Sequence, residues 1–308
     1  MKIVFMGTPV FAVPVLEGLI NQFEVVGVVT QPDKEIGRKK ELRSTPIKEL
    51  AIKNNIKVIS PLNIKKEYQA ILDLEPDILI TCAYGQFVPR VLLDYPKYGA
   101  INVHGSLLPK RRGGAPIHTA IKEGYQETGI TIMKMAPKMD AGDIISQKKI
   151  TIEKNDTYGS LHDKMSVLGK KLLLKTLPHI YSGDIKEKVQ NEKEVTFAYN
   201  IKREEEKLDF EKSNTDVYNH IRGYNPTPGT YAVLNGKIIK VWSSKLLDSD
   251  YPGKTGEIIN IIDEGIVVKT KEKAIILTEV QPEGKKRMDI SNYLNGINRE
   301  KIIGEIFN

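Results

Sequence analysis

The chain has 308 residues, which suits two domains better than one small core, and a formal net charge of +7. Nothing in it approaches the roughly 20 apolar residues of a membrane span, and the start, Met1-Lys2-Ile3-Val4-Phe5-Met6-Gly7, lacks the apolar region and cleavage site of a secretory leader. The single cysteine, Cys82, rules out an intrachain disulfide framework and a cysteine-rich zinc site, and the five histidines show no His-x-x-x-His pair. These features predict a cytoplasmic protein with no metal and no membrane partner.

From residue 191 onward there are 18 Lys and Arg against 19 Asp and Glu, so the positive excess lies in the first 190 residues. That distribution suits a polyanionic partner, and equally a solvated basic surface.

Residues 2–6 read as a buried strand, Gly7-Thr8-Pro9 as a turn, and 14–21 as a helix with proline in its first turn. Residues 24–30 form a second, β-branched strand. Strand, turn, helix and strand in that order begin a parallel, doubly wound sheet. No Gly-x-Gly-x-x-Gly follows the first strand, so Gly7 reads as a turn residue. Residues 34–43 are basic and aperiodic and predict an exposed loop, either a solvated connection or a phosphate-gripping arm. Helices over 46–54 and 65–74 and strands over 57–59 and 77–84 continue the pattern, with Cys82 in the core. A helix opens near Pro89. Then come a strand at 100–104, a helix at 116–123, a strand at 128–135, and a turn at 139–145 leading to a strand at 147–152. Asp156-Thr157 caps a helix over 158–182, which Pro178 should kink or break.

Beyond it the periodicity fades into charge, and 190–212 reads as a linker. A short helix over 213–222 precedes strands at 230–234, 237–243, 255–262, 265–270 and 274–281, with Asn235-Gly236 as a hairpin turn and a helix at 290–295. The expected fold is α/β: a doubly wound, mostly parallel Rossmann-like sheet domain (1–189), the linker, then a small OB-like β-barrel domain (213–308).

The chemistry concentrates at 100–116, Ala-Ile-Asn-Val-His-Gly-Ser-Leu-Leu-Pro-Lys-Arg-Arg-Gly-Gly-Ala-Pro. Asn102 and His104, two apart, share one face of a strand. They sit at its carboxyl end, where open α/β sheets bind ligands. An amide can donate to an oxyanion and an imidazole can move protons near neutral pH; the alternative is a buried hydrogen-bonded pair. Asp140 can orient the imidazole if its turn gathers at the same sheet edge, or can be a turn former alone. Ser106, Leu107, Leu108 and Pro109 make a stiff loop suited to a flat heteroaromatic ring, or an ordinary turn. Lys110, Arg111 and Arg112 read as surface charges. No Gly-x-Ser-x-Gly elbow occurs, and covalent catalysis is not indicated.

Asn-Val-His-Gly-Ser-Leu-Leu-Pro followed by Arg-Gly-Gly-Ala-Pro-Ile resembles the signature of the folate-dependent formyltransferases. The resemblance implies 10-formyltetrahydrofolate as co-substrate and Asn102, His104 and Asp140 as catalytic trio. It also implies a folate wall at Ser106–Pro109. Phe5-Met6-Gly7-Thr8-Pro9-x-Phe11-Ala12, Thr30-Gln31-Pro32-Asp33, Ala83-Tyr84-Gly85-Gln86 and Asn225-Pro226-x-Pro228-Gly229 are similar to the branch acting on methionyl-tRNA. That branch implies formyl transfer to the α-amine of initiator methionyl-tRNA by a monomer. Its Gly-Arg-Gly-Lys-Lys loop pattern falls here on Gly37-Arg38-Lys39-Lys40, one glycine short, which carries tRNA binding to Arg38, Lys39 and Lys40. The barrel would help hold the tRNA through Lys269, Lys271, Lys273 and Lys285-Lys286-Arg287. A sugar-nucleotide formyltransferase shares the trio and is the rival. A non-catalytic RNA-binding protein on the same scaffold is disfavoured by the intact trio.

Overall fold

Ile3, Val4, Phe5 and Met6 have no exposed surface. A strand apolar on both faces belongs inside a parallel sheet covered on both sides. The computed structural model describes residues 1–37 and 40–308, and of Ile36 only the backbone. In it the chain packs as two compact units, one of residues 1–113, 128–150 and 162–198, the other of residues 114–127, 151–161 and 199–308.

In chain order the first strands are β1 (Lys2–Gly7), β2 (Glu24–Val29), β3 (Lys34–Ile36), β4 (Glu41–Arg43), β5 (Val58–Ile59), β6 (Ile78–Cys82), β7 (Ala100–His104), β8 (Glu127–Lys134) and β9 (Ile144–Thr151). Seven of them form one sheet in the order β5-β2-β1-β6-β7-β8-β9. Pairing is parallel from β5 through β7 and antiparallel between β7 and β8. The chain winds outward from β1 in both directions, so β1 and β6 flank the switch point where such sheets open a crevice at their carboxyl ends. Helices α1 (Val13–Gln22) and α2 (Pro46–Lys53) connect the first half, and Thr45 caps α2 by accepting the Lys48 N–H at 3.1 Å.

Three expectations change. Residues 34–36 and 41–43 are paired antiparallel strands, not a loop: Lys34 pairs Arg43, Glu35 pairs Leu42 and Ile36 pairs Glu41. Arg38 and Lys39 lie outside the described residues. Lys40 is exposed, with its ammonium 3.9 Å from the exposed Glu35 carboxylate, a pairing that contributes little. The helix expected over 65–74 contracts to α3 (Gln69–Leu72). The Asn63 side chain takes the Lys65 N–H and Glu67 takes the Asn63 N–H, so residues 63–67 close on themselves as a separate capped turn ahead of α3. After α4 (Arg90–Asp94) and α5 (Pro116–Lys122), the helix α6 (Tyr158–Ser182) runs unbroken through Pro178. The ring removes only the bond to the Leu174 carbonyl, near the helix end, while Leu161, Met165, Leu173 and Leu177 are wholly buried and hold the axis.

The second unit is built on antiparallel strands β10 (Thr230–Leu234), β11 (Lys237–Leu247), β12 (Ile258–Ile262), β13 (Gly265–Lys269) and β14 (Ala274–Pro282), in the order β10-β11-β14-β13-β12, with β15 (Met288–Asp289) on β14. Asn235 and Gly236 both take positive φ, 50° and 73°, as a two-residue hairpin requires. Ala232, Val241, Val268, Ile275 and Leu277 alternate inward and meet Val217 and Ile221 of α7 (Asn214–Gly223) and Ile290 and Leu294 of α8 (Ile290–Asn295). A last short helix, α9 (Arg299–Ile302), precedes a return of Asn308 onto Val233 through paired 2.8 Å backbone bonds. Lys269 is not part of an exposed basic face: it is 8% exposed and bound to Asp250. Among the described residues, no helix is long and apolar enough to cross a membrane.

His220 on α7 donates from Nε2 to the Glu205 carbonyl at 2.8 Å and meets the Tyr224 ring edge-on. Burial, and next the Lys122 ammonium, push its pKa down from 6.5 to about 4. The unfolded chain therefore takes up this proton first. Stability from neutral His220 is complete above pH 6.5 and is lost as pH falls toward 4. Thermal unfolding followed from pH 7.5 to 4 should show this decline, and His220→Gln should flatten it; an unchanged slope would show that His220 does not contribute.

Candidate active site

Along β7 the side chains alternate. Ile101 and Val103 are buried in the apolar layer, and Asn102 and His104 share the opposite face. Parallel register sets Thr81 of β6 beside Asn102, and the Thr81 hydroxyl donates to Asn102 Oδ1 at 2.8 Å. With its oxygen engaged, the amide offers its nitrogen: Nδ2 has no partner among the described residues.

His104 is 6% exposed. Its Nε2 lies 3.1 Å from the Arg111 carbonyl. A carbonyl only accepts, so Nε2 carries the proton and Nδ1 is the basic nitrogen of the neutral ring. Nδ1 lies 3.8 Å from Asp140 Oδ2. The same oxygen accepts the Gly113 N–H at 2.8 Å.

Asp140 reaches this position by a route the sequence did not suggest. Because β8 is antiparallel to β7, Lys134 at its end pairs Ile101, and Met135 donates to the Ala100 carbonyl. The turn after β8 thus leaves the sheet at the amino end of β7, not at the carboxyl edge with its neighbours. The Lys134 N–H donates to the Asp143 carbonyl at 2.9 Å, so the intervening residues make an excursion and rejoin the sheet where they left it. Asp140, at φ 48°, lies on that excursion and comes back to His104. Gly142 lets it close: a Cβ there would stand 1.9 Å from the Lys134 carbonyl oxygen.

The Ser106–Pro109 loop is held from within. Ser106, fully buried, donates to the Lys110 carbonyl at 2.7 Å. Thr131 on β8 donates to the Ser106 carbonyl at 2.6 Å and accepts from Leu108 N and Gln147 Nε2, and Gln147 also donates to the Leu108 carbonyl. Leu108 clusters with Met133 and Ile144. Several of the loop's backbone groups are therefore engaged inward, and what it presents is stiffness and apolar surface.

Arg111 and Arg112 are not surface charges: they are 2% and 0% exposed. Arg112 is buried because it is compensated. Its Nε and Nη2 donate to Gln190 Oε1 at 3.1 and 2.9 Å, and Nη2 also to Glu192 at 2.8 Å. The bond from Arg112 Nη2, then that from Lys138, hold the Glu192 carboxyl down at about 2. Thr81, Thr131, Arg112 and Gln190 were all missed by reading the sequence. Gln190 fell at the edge of a stretch read as linker, and the others act through partners distant in the chain.

Residues 1–177 match the formyl transferase family and residues 200–298 the formyl transferase C-terminal domain. In fold the chain is similar to the N-formyltransferase from Helicobacter canadensis in complex with folinic acid and dTDP-3-aminofucose, with TM-score 0.68 and 22% identity over 92% of this chain and 99% of that one. It is similar also to HypX from Aquifex aeolicus in complex with tetrahydrofolic acid, with TM-score 0.64 and 17% identity over 96% of this chain, which spans 47% of HypX. Over 303 residues it is 54% identical to the methionyl-tRNA formyltransferase of Bacillus cereus (strain B4264), covering 97% of this chain and 96% of that protein. With both domains matched and more than half the residues shared over nearly the whole length, the chain belongs to the formyl transferase family and, within it, to the methionyl-tRNA formyltransferases.

Proposed function

We propose that this chain transfers the formyl group of 10-formyltetrahydrofolate to the α-amino group of initiator methionyl-tRNA, for translation initiation. The observation that carries the reading is the 54% identity to a methionyl-tRNA formyltransferase, extending through both domains.

The reaction is acyl transfer. The neutral α-amine attacks the formyl carbon, negative charge gathers on the formyl oxygen, the bond to N10 breaks, and the amine's proton is exchanged for one on N10. Asn102 suits the oxyanion. Its Nδ2 is exposed to the site and already oriented by Thr81, so donation needs no reorganisation as charge develops. His104 takes the proton at Nδ1, since Nε2 is committed to the Arg111 carbonyl, and the nearby Asp140 carboxylate stabilises the imidazolium so formed. Nδ1 then returns the proton to the departing N10. Gathering both substrates at one edge removes much of the entropic barrier. This route draws on no metal ion.

Ser106, Leu107, Leu108 and Pro109 serve as a wall of the folate site, and Arg38, Lys39 and Lys40 grip tRNA phosphates. Residues 1–189 act as the catalytic domain, with the first residues of the 190–212 linker folded against it, and 213–308 act as an OB-like barrel that helps hold the tRNA. The protein works as a cytoplasmic monomer.

The reading is tested by offering charged initiator tRNA and an amino-sugar nucleotide in parallel, with 10-formyltetrahydrofolate as donor to both. Formylation of the tRNA is expected; turnover of the sugar alone would overturn the assignment. Asn102→Ala should lower kcat roughly 10²- to 10³-fold, as loss of an oxyanion donor does, and Asp140→Ala should lose most turnover. Both should keep a native circular dichroism spectrum, and near-normal rates in either variant would remove that residue from the mechanism. Arg38→Ala should raise the KM for tRNA, and weaken its salt dependence, without altering folate binding; an unchanged tRNA response would exclude Arg38 from tRNA binding.

A further inference from the structure

We propose that Gln190 is a positioning residue for the reaction: its side-chain amide, oriented by the buried Arg112 guanidinium, holds the Asp140 excursion so that the carboxylate faces His104. This rests on the role proposed above for Asp140.

Gln190 is 6% exposed and uses both ends of its amide. Oε1 accepts from Arg112 Nε and Nη2. Nε2 donates to the Asp140 carbonyl at 2.8 Å and to the Gly142 carbonyl at 2.7 Å. A guanidinium only donates and a carbonyl only accepts, so the amide has one workable orientation. Its two donor bonds end on either side of Ala141 and fix the backbone of the excursion in the left-handed conformation that Asp140 adopts.

The segment that orients Gln190 also sets the rest of the pair. The Arg111 carbonyl accepts from His104, and the Gly113 N–H holds the Asp140 carboxylate. Arg112, between them, holds the backbone of Asp140 through Gln190. Three consecutive residues thus fix the imidazole, the carboxylate and the turn that carries the carboxylate. Glu192 accepts from both Arg112 and Lys138 at 2.8 Å and balances the buried charge. If Gln190 only tied down its own segment, its donors would have no reason to converge on the residues flanking Ala141.

The test is a double-mutant cycle on the full chain. Gln190→Glu keeps an acceptor for Arg112 but cannot donate to two carbonyls. It should lower kcat about 10- to 100-fold, the scale of a misplaced catalytic group, with both KM values within about twofold and the melting temperature little changed. In an Asp140→Ala background the same substitution should cost nothing more, because the two act as a unit. Gln190→Met, which removes donors and acceptor alike, gives the same kinetic comparison if the glutamate variant does not fold. Full activity in both Gln190 variants, or losses that add to that of Asp140→Ala, would overturn the inference. Full activity in Asp140→Ala alone would instead overturn the role of Asp140, and this inference with it.

Discussion

The site depends on how β7 is paired. A parallel neighbour on one side sets Thr81 against Asn102 and so decides which end of the amide faces outward. An antiparallel neighbour on the other brings Thr131 opposite His104, where its hydroxyl gathers the loop that follows. A one-residue slip in either pairing would turn Asn102 and His104 into the apolar layer and expose Ile101 and Val103. The burial of those two aliphatic side chains therefore holds the polar pair in place.

The antiparallel strand also creates a difficulty that the structure solves locally. It delivers the chain to the wrong end of β7 for a carboxylate meant to reach His104. An excursion stabilised only by its own turn would leave the carboxylate unfixed for the proton transfer proposed above. The Gly113 N–H and the Gln190 amide tether it at the carboxylate and at the backbone. A buried arginine is costly unless paired, and here the pairing of Arg112 Nε and Nη2 with Gln190 supplies the orientation that the turn needs.

Reading the sequence captured what local pattern encodes. The strand at 100–104 was legible because apolar residues alternate with Asn102 and His104, and the hairpin at Asn235-Gly236 because two adjacent residues must take positive φ. The paired strands at 34–36 and 41–43 were missed because short exposed strands carry no apolar period. Pro178 was overweighted, since buried leucines on α6 outweigh one lost hydrogen bond. The burial of Arg111 and Arg112 was invisible because the groups that compensate Arg112, Gln190 and Glu192, lie far along the chain. Asp140 could be named from its motif, but its path depended on the direction of β8, which no local signal encodes.

The bond from His104 to the Arg111 carbonyl has a consequence for how protons travel. An imidazole often passes a proton in at one nitrogen and out at the other. Here one nitrogen is fastened to the backbone, so in the role proposed for His104 the ring is a reservoir with a single port. The nitrogen that loses a proton and the nitrogen that gains one must visit the same atom in turn. The tetrahedral adduct holds both nitrogens on one carbon, so such a port can serve each of them without either substrate leaving.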